Sequence, residues 1–181
     1  ISGKLIAGND LSLRAQERID INDSSGTPFV AQAGNNLLVQ GDKTINIDAL
    51  SHPESYFASA MNMRLRSENT IEGDANYWSG RDFTIENLDG ELSGLLSSST
   101  PILRAMGSVN IGDYEGPSIH IIAGGNVTFN QDINITEKGS NQSINERLSL
   151  RDASEAREAS QDFEVLEGNI LDPSGSSLLN S

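Results

Sequence analysis

Apolar and polar residues alternate with a period of two along most of this chain. The alternating apolar pairs are Leu11/Leu13, Ile19/Ile21, Leu37/Val39, Ile45/Ile47, Phe83/Ile85, Val127/Phe129 and Ile133/Ile135. This period is typical of strands that bury one face. Helical periodicity is missing before residue 136, and Gly, Asn, Asp and Ser separate the alternating segments, as they do in turns. The pattern predicts an all-β chain of many short strands.

One motif precedes several of these strands: Gly, any residue, Asp or Asn, and then an apolar–any–apolar triplet. The complete copies place the Gly and the Asp or Asn at Gly8/Asp10, Gly34/Asn36, Gly80/Asp82 and Gly124/Asn126. A shift of 26 residues superposes the first copy on the second, and the same shift places Ile19 on Ile45. An ordered set of matches at one spacing indicates an internal repeat.

The repeat and the alternation together predict a right-handed parallel β-helix of about six rungs over residues 1–135. Rungs of about 20–27 residues allow each short strand to stack on its equivalent in the next turn of the chain. The predicted rungs cover residues 5–21, 29–47, 56–71, 78–92, 102–111 and 119–135. A β-sandwich of hairpins is the competing architecture, but it does not predict the 26-residue match. In the β-helix, the alternating apolar pairs point into one common core.

Residues 136–181 form a separate polar segment, which the sequence predicts to be a linker or a cap. Helix formers are concentrated in residues 150–159, so a short helix is expected there. A solenoid needs a cap because its last rung exposes apolar side chains and unpaired backbone. The candidates for burial against rung six or another chain are Leu148, Leu150, Phe163, Val165 and Leu166. At the other end, the Ile1 strand edge is expected to contact further β-structure, from the same protein or a neighbouring copy.

Composition narrows the choice of partners. The net charge is −14 at pH 7, which repels nucleic acid phosphates and anionic lipids, so neither nucleic acid binding nor membrane insertion is expected. No segment approaches the roughly 18 apolar residues of a membrane helix. The chain has no cysteine and is 5% aromatic, which predicts an aliphatic core without disulfides.

The repeated motif has two interpretations. Its glycines serve a turn that needs either a positive φ or a close approach between rungs. The Asp and Asn residues are expected to stack into a hydrogen-bonded ladder. The alternative is a Ca²⁺ site, for which Asp10 and Asp82 are the candidate ligands. The ladder is favoured because two of the four side chains are amides.

No catalytic residue and no cofactor is assigned from the sequence. His52 is predicted in a loop and His120 on the outer face of a strand, and neither is placed near a Ser/Asp pair that would make a triad. Gly124 and Gly125 do not form a phosphate loop, because no Lys-Ser/Thr follows them and no helix begins there.

A polysaccharide-acting enzyme remains an alternative, since such a site needs acidic ligands and a basic residue beside one sheet. Arg64 and Arg66 are the basic candidates for a lyase, and the sequence predicts them to form an ordinary solvated strand face. Tyr77 and Trp78 are the aromatic candidates for stacking on a sugar.

The repeated units "IAGNDLSLRA", "AQAGNNLLVQ", "WSGRDFTIEN" and "IIAGGNVTFN" resemble the rungs of filamentous haemagglutinin-like exoproteins, the β-helical passengers of two-partner secretion. The resemblance covers about residues 5–135. The Asn-Pro-containing motifs of that family's secretion domain are not found here, so the resemblance implies a segment downstream of that domain or a relative lacking it.

The resemblance implies an extracellular or bacterial cell-surface protein that acts in adhesion, aggregation or an extracellular matrix. Further rungs or neighbouring copies are the expected partners, with a surface carbohydrate or a protein as receptor. A structural subunit that polymerises into a fibre is the first alternative. A polysaccharide lyase or glycosidase is the second.

Overall fold

The structure is a computed structural model and describes residues 1–136, in which all regular secondary structure is β. The first three rungs comprise β1 (Lys4–Ala7), β2 (Leu11–Ala15), β3 (Arg18–Asn22), β4 (Val30–Ala33), β5 (Leu37–Gly41), β6 (Thr44–Asp48), β7 (Tyr56–Ser59), β8 (Met63–Arg66) and β9 (Ile71–Asp74). The next three comprise β10 (Asn76–Ser79), β11 (Phe83–Glu86), β12 (Leu95–Leu96), β13 (Ile102–Ala105), β14 (Val109–Ile111), β15 (Tyr114–Gly116), β16 (His120–Ala123), β17 (Val127–Phe129) and β18 (Ile133–Ile135).

Every third strand belongs to the same sheet, which gives three parallel sheets of six strands each. The first sheet is β1-β4-β7-β10-β13-β16, the second is β2-β5-β8-β11-β14-β17, and the third is β3-β6-β9-β12-β15-β18. Each rung contributes one strand to each sheet. The predicted parallel β-helix of six rungs is therefore confirmed. The expected linker, cap and short helix fall after Thr136 and lie outside the described residues.

The strand register follows the repeat found in the sequence. Leu11 is the Cα partner of Leu37, and Ile19 is the partner of Ile45, so the first two rungs are 26 residues apart. The sandwich alternative is wrong, because these neighbours are parallel. The spacing then shortens to 20 residues between Phe57 and Tyr77, and to 18 between rungs five and six, below the predicted range.

The three corners between the sheets differ in how far their length varies. We call the turn from the first sheet to the second the first corner, and it has three residues in every rung. These are residues 8–10, 34–36, 60–62, 80–82, 106–108 and 124–126. The third corner, from the third sheet back to the first, varies from the seven residues 23–29 to the single residue 75. Variation in rung length is thus absorbed away from the first corner.

The core lies between the inner faces of the three sheets. Leu37, Val39, Phe83 and Ile85 are buried in one cluster, as the alternation predicts. Leu11, Leu13 and Phe129 pack against the cluster from the end rungs. Val127 occupies the register position of buried Val109 but is 49% exposed, because it lies on the last described rung.

The core also contains aromatic rings, so the expectation of an aliphatic core is wrong. Phe29, Phe57, Tyr77 and Phe83 form a continuous series across the rungs, with successive ring centroids 5.1, 5.2 and 5.2 Å apart. Parallel register places the same position of successive rungs about 4.8 Å apart, so rings in neighbouring rungs stack. The few aromatic residues of this chain are concentrated inside the solenoid.

Candidate functional site

A ladder of hydrogen bonds follows the first corner through all six rungs. In each rung, the third corner residue accepts a hydrogen bond from the backbone N–H of its equivalent in the next rung. The ladder contains Asp10, Asn36, Asn62, Asp82, Ser108 and Asn126. The N···O distances range from 2.7 Å, between Ser108 N and Asp82 Oδ1, to 3.3 Å, between Asp82 N and Asn62 Oδ1. The side chains thus satisfy backbone donors that the corner leaves outside the sheets.

The charged members of the ladder are employed in these hydrogen bonds. The backbone N–H of Asn36, and then its side-chain amide, lower the pKa of Asp10 below its ordinary value. Asp10 and Asp82 belong to rungs one and four, about 14 Å apart at ordinary strand spacing. Within residues 1–136, no three His, Asp or Glu side chains are grouped so that they could hold a metal ion. The candidate Ca²⁺ ligands are therefore not brought together.

The motif glycines serve close packing rather than an unusual backbone conformation. Gly8, Gly34, Gly80 and Gly124 all have ordinary φ values, and positive φ occurs at Gly3 and Gly90. A Cβ on Gly34 would collide with the carbonyl oxygen of Gly8 in the rung below. Of the two reasons proposed for a glycine, a close approach between rungs applies at Gly34, and a positive φ applies at none of the four.

A groove lies beside the ladder on the outer face of the second sheet. It has a volume of about 450 Å³ and extends from rung one to rung four. Its polar and charged lining residues are Asp10, Ser12, Arg14, Asn36, Asn62, Arg64, Arg66 and Glu86. Three arginines against two carboxylates make this groove locally positive in a chain whose net charge is −14.

The three arginines of the groove differ in how they are held. Arg66 is half-buried, lies 3.2 Å from Glu86, and donates to the carbonyl oxygens of Asn87 and Leu88. Arg14 makes a long 3.3 Å hydrogen bond to Ser12. Arg64 is exposed, as predicted, whereas Arg66 departs from the predicted solvated face. The groove therefore has one fixed guanidinium and two that point to solvent.

The remaining candidate side chains do not join this groove. His52 lies in the third-corner loop of rung two, where its Nδ1 accepts from the backbone N–H of Glu54, and His120 lies on the outer face of rung six. Tyr77 is buried in the core, and Trp78 is buried on the outer face of the first sheet. Neither aromatic residue presents a free ring face for stacking on a sugar, so that interpretation is wrong.

Two carboxylates that the sequence analysis missed anchor the loops of the third corner. Asp74 is buried and accepts hydrogen bonds from the hydroxyl groups of Ser97 and Ser98 and from the backbone N–H groups of Ser98 and Ser99. Asp23 accepts from the backbone N–H groups of residues 51 and 52 in the same way. Serine-rich loops that follow an acidic residue were the available signal for this arrangement.

Comparison with known proteins adds no identity. No protein-family model matches the chain, and neither a curated protein nor a solved structure matches it. The resemblance to filamentous haemagglutinin-like exoproteins therefore remains a prediction from the repeated units. Within residues 1–136, no helix has the length and apolar character needed to span a membrane.

Proposed function

We propose that this chain is an extracellular β-solenoid module of a bacterial surface or secreted protein, acting in adhesion, aggregation or an extracellular matrix. The observation that carries the proposal is the positive groove on the flat outer face of the second sheet. The resemblance of the repeated units supplies the biological setting. The groove supplies a surface with which such a module would hold a receptor.

The groove suits an extended acidic carbohydrate. It crosses the strands of four rungs, a distance of about 14 Å along the solenoid axis. A guanidinium presents a planar set of donors that binds carboxylate or sulfate groups in pairs. Arg14 and Arg64 lie on the first and third rungs of one sheet, so they offer such donors at two points along a chain-like ligand.

Charge sets the conditions under which this binding is expected. The chain as a whole repels a polyanion, because its net charge is −14. Binding must therefore rest on short-range contacts with the groove arginines rather than on long-range attraction. We expect weak affinity that rises in repeated arrays of the module, where several grooves engage one polymer.

The test is binding of the full 181-residue chain to polygalacturonate and heparin, with neutral dextran as the uncharged comparison. The expected result is that Arg14→Ala together with Arg64→Ala lowers affinity for the acidic polymers several-fold. Arg81→Ala is the matched control, because Arg81 is exposed at the first corner outside the groove. Equal binding by the double variant and the wild type would overturn the proposal.

The enzyme alternative is separated in the same assay. A lyase would cut the polymer and release unsaturated sugar ends, with Arg64 placed to take the proton. Release of such ends by the wild type, and its loss in Arg64→Ala, would replace the adhesion proposal by the lyase alternative. Binding without any cleavage supports the non-enzymatic module.

One observation favours the fibre subunit as a second candidate. The last described rung exposes Val127, Ile133 and Ile135, each to about half of its surface. An exposed apolar rung is a docking surface for another rung of the same kind. Sedimentation velocity across a concentration series tests this candidate. Growth into long particles that Ile133→Asp prevents would support the fibre, whereas a monomer at every concentration would exclude it.

A further inference from the structure

Two large side chains on the outside of the first sheet are buried. Tyr77 and Leu103 point into the core, so their neighbours Trp78 and Arg104 point away from it. Trp78 is nevertheless 1% exposed and Arg104 3% exposed. Ile6, which lies in the same row of outward positions on rung one, is 69% exposed. Something therefore covers the outer face of this sheet at rungs four and five.

The covered region includes the adjacent row of outward positions. Asn76 and Ile102, paired in register on the same two strands, are also buried. We call Asn76, Trp78, Ile102 and Arg104 the covered patch. The three sheets enclose the core with their inner faces, so none of them lies over the outer face of another. By contrast, Leu96 on the outside of the third sheet is 37% exposed.

The chemistry of the covered patch defines what fits it. The Arg104 guanidinium carbon lies 3.6 Å from the centroid of the Trp78 ring, an arrangement typical of a cation–π contact. Burying a guanidinium is costly unless its donors meet acceptors, and an anionic acceptor is the most favourable. The covering segment must therefore combine apolar side chains with a carboxylate.

We propose that residues 144–150 of this chain lie over the covered patch. In an extended segment, Ile144, Glu146, Leu148 and Leu150 share one face, which places a carboxylate between apolar side chains. That face matches Arg104 lying between Trp78 and Ile102. The same apolar side chains thus pack against the side of the solenoid rather than across its end.

Chain connectivity supports the same assignment. The chain leaves the third sheet at Thr136, whose N–H still donates to Gly116. In every earlier rung, the segment leaving that sheet turns at the third corner into the first sheet. The seven residues 137–143 can extend about 23 Å, and rungs five and four lie only about 5 and 10 Å from rung six along the axis. Residues 144–150 are therefore the first apolar segment within reach of the patch.

The experiment uses the fluorescence of the full chain, because Trp78 is its only tryptophan. The variant Ile144→Asp with Leu148→Asp places charges against the patch. We expect its emission to move to longer wavelength and its acrylamide quenching to increase several-fold. The matched control is Phe163→Asp with Val165→Asp, which adds the same charge elsewhere after residue 136 and should leave both readings unchanged. Far-ultraviolet circular dichroism checks that the rungs remain folded.

Three results would overturn the proposal. The first is unchanged emission in the Ile144/Leu148 variant. The second is an equal or larger change in the Phe163/Val165 variant, which would assign the cover to that later segment. The third is a wild-type emission that moves to longer wavelength on dilution as an oligomer dissociates, which would identify a second copy of the chain as the cover.

Discussion

Asn36 donates two hydrogen bonds to one oxygen of Asp10 in the rung below, from its backbone N at 2.9 Å and from its Nδ2 at 3.1 Å. The pair shows why an amide follows a carboxylate in this ladder. An Asn can donate to the residue below and accept from the residue above, whereas an ionised Asp only accepts. The alternation of residue types is thus set by donors and acceptors.

Asn36→Asp is expected to destabilise the fold at neutral pH, because it removes the Nδ2 donor and places a second carboxylate beside Asp10. Asn110→Asp is the matched control, since it adds the same charge on the outer face of the second sheet, between Thr84 and Thr128. Thermal unfolding should show a larger loss for the first variant. Adding Asp10→Asn should restore most of it, and a failure of that rescue would contradict the ladder.

Leu37→Ala should lower the free energy of unfolding by about 2–5 kcal/mol, the range for a buried leucine whose cavity does not collapse. Leu11→Ala removes the same atoms at the same register position, but from the half-buried first rung. Its loss should be clearly smaller. Urea unfolding measures both, and equal losses would show that the first rung is as well packed as the second.

Tyr77→Phe should stabilise the protein at neutral pH by roughly 1 kcal/mol, because an unsatisfied buried polar group is costly. The Tyr77 hydroxyl is buried and has no hydrogen-bond partner within the described residues. The phenyl ring would keep the contacts with Phe57 and Phe83. A lower unfolding midpoint in the variant would indicate that the hydroxyl does find a partner.

Alkaline pH should destabilise the fold through Tyr114. Burial raises its pKa to about 12, so the folded state holds a proton that the unfolded state releases near pH 10. Stability is therefore full below pH 10 and falls by about 1.4 kcal/mol per pH unit between 10 and 12. Tyr114→Phe should flatten this part of the profile, at the expense of the 2.8 Å hydrogen bond to the carbonyl oxygen of Ser118. An unchanged slope would argue against this origin.

Insertions should be tolerated at the third corner and rejected at the first. Two glycines between Ser25 and Gly26 lengthen an exposed loop, for which closure entropy costs well under 1 kcal/mol. The same two glycines between Asn35 and Asn36 separate the ladder residues from their acceptors. Unfolding midpoints should fall sharply only in the second variant. Comparable losses would show that the first corner has no special role.

The sequence was sufficient to predict the rungs because inward side chains must repeat when each strand lies on its equivalent. It was insufficient for the ladder, where a search for Gly followed by Asp or Asn missed Asn62 and Ser108. Rung three lacks the glycine, and rung five has the shorter serine. The 26-residue shift from Asn36 and from Asp82 reaches these two residues directly, so the register was a better guide than the motif.

The buried outer face of the first sheet could not be predicted in this way. Alternation assigns Trp78 and Arg104 to the exterior, and in that it is correct. Their burial depends on packing outside the rungs, which no periodicity within the rungs encodes. The aromatic series in the core was missed for a related reason, since composition reports how many rings exist and not whether they share a register.

Paired strands in this solenoid are never more than 26 residues apart along the chain. Each new rung therefore needs only the preceding one as a template, and no contact waits for a distant part of the polypeptide. Such a chain can fold progressively from one end as it emerges from a narrow channel, each completed turn holding the next in place. Every turn so formed would also oppose backward sliding, which gives folding itself a direction.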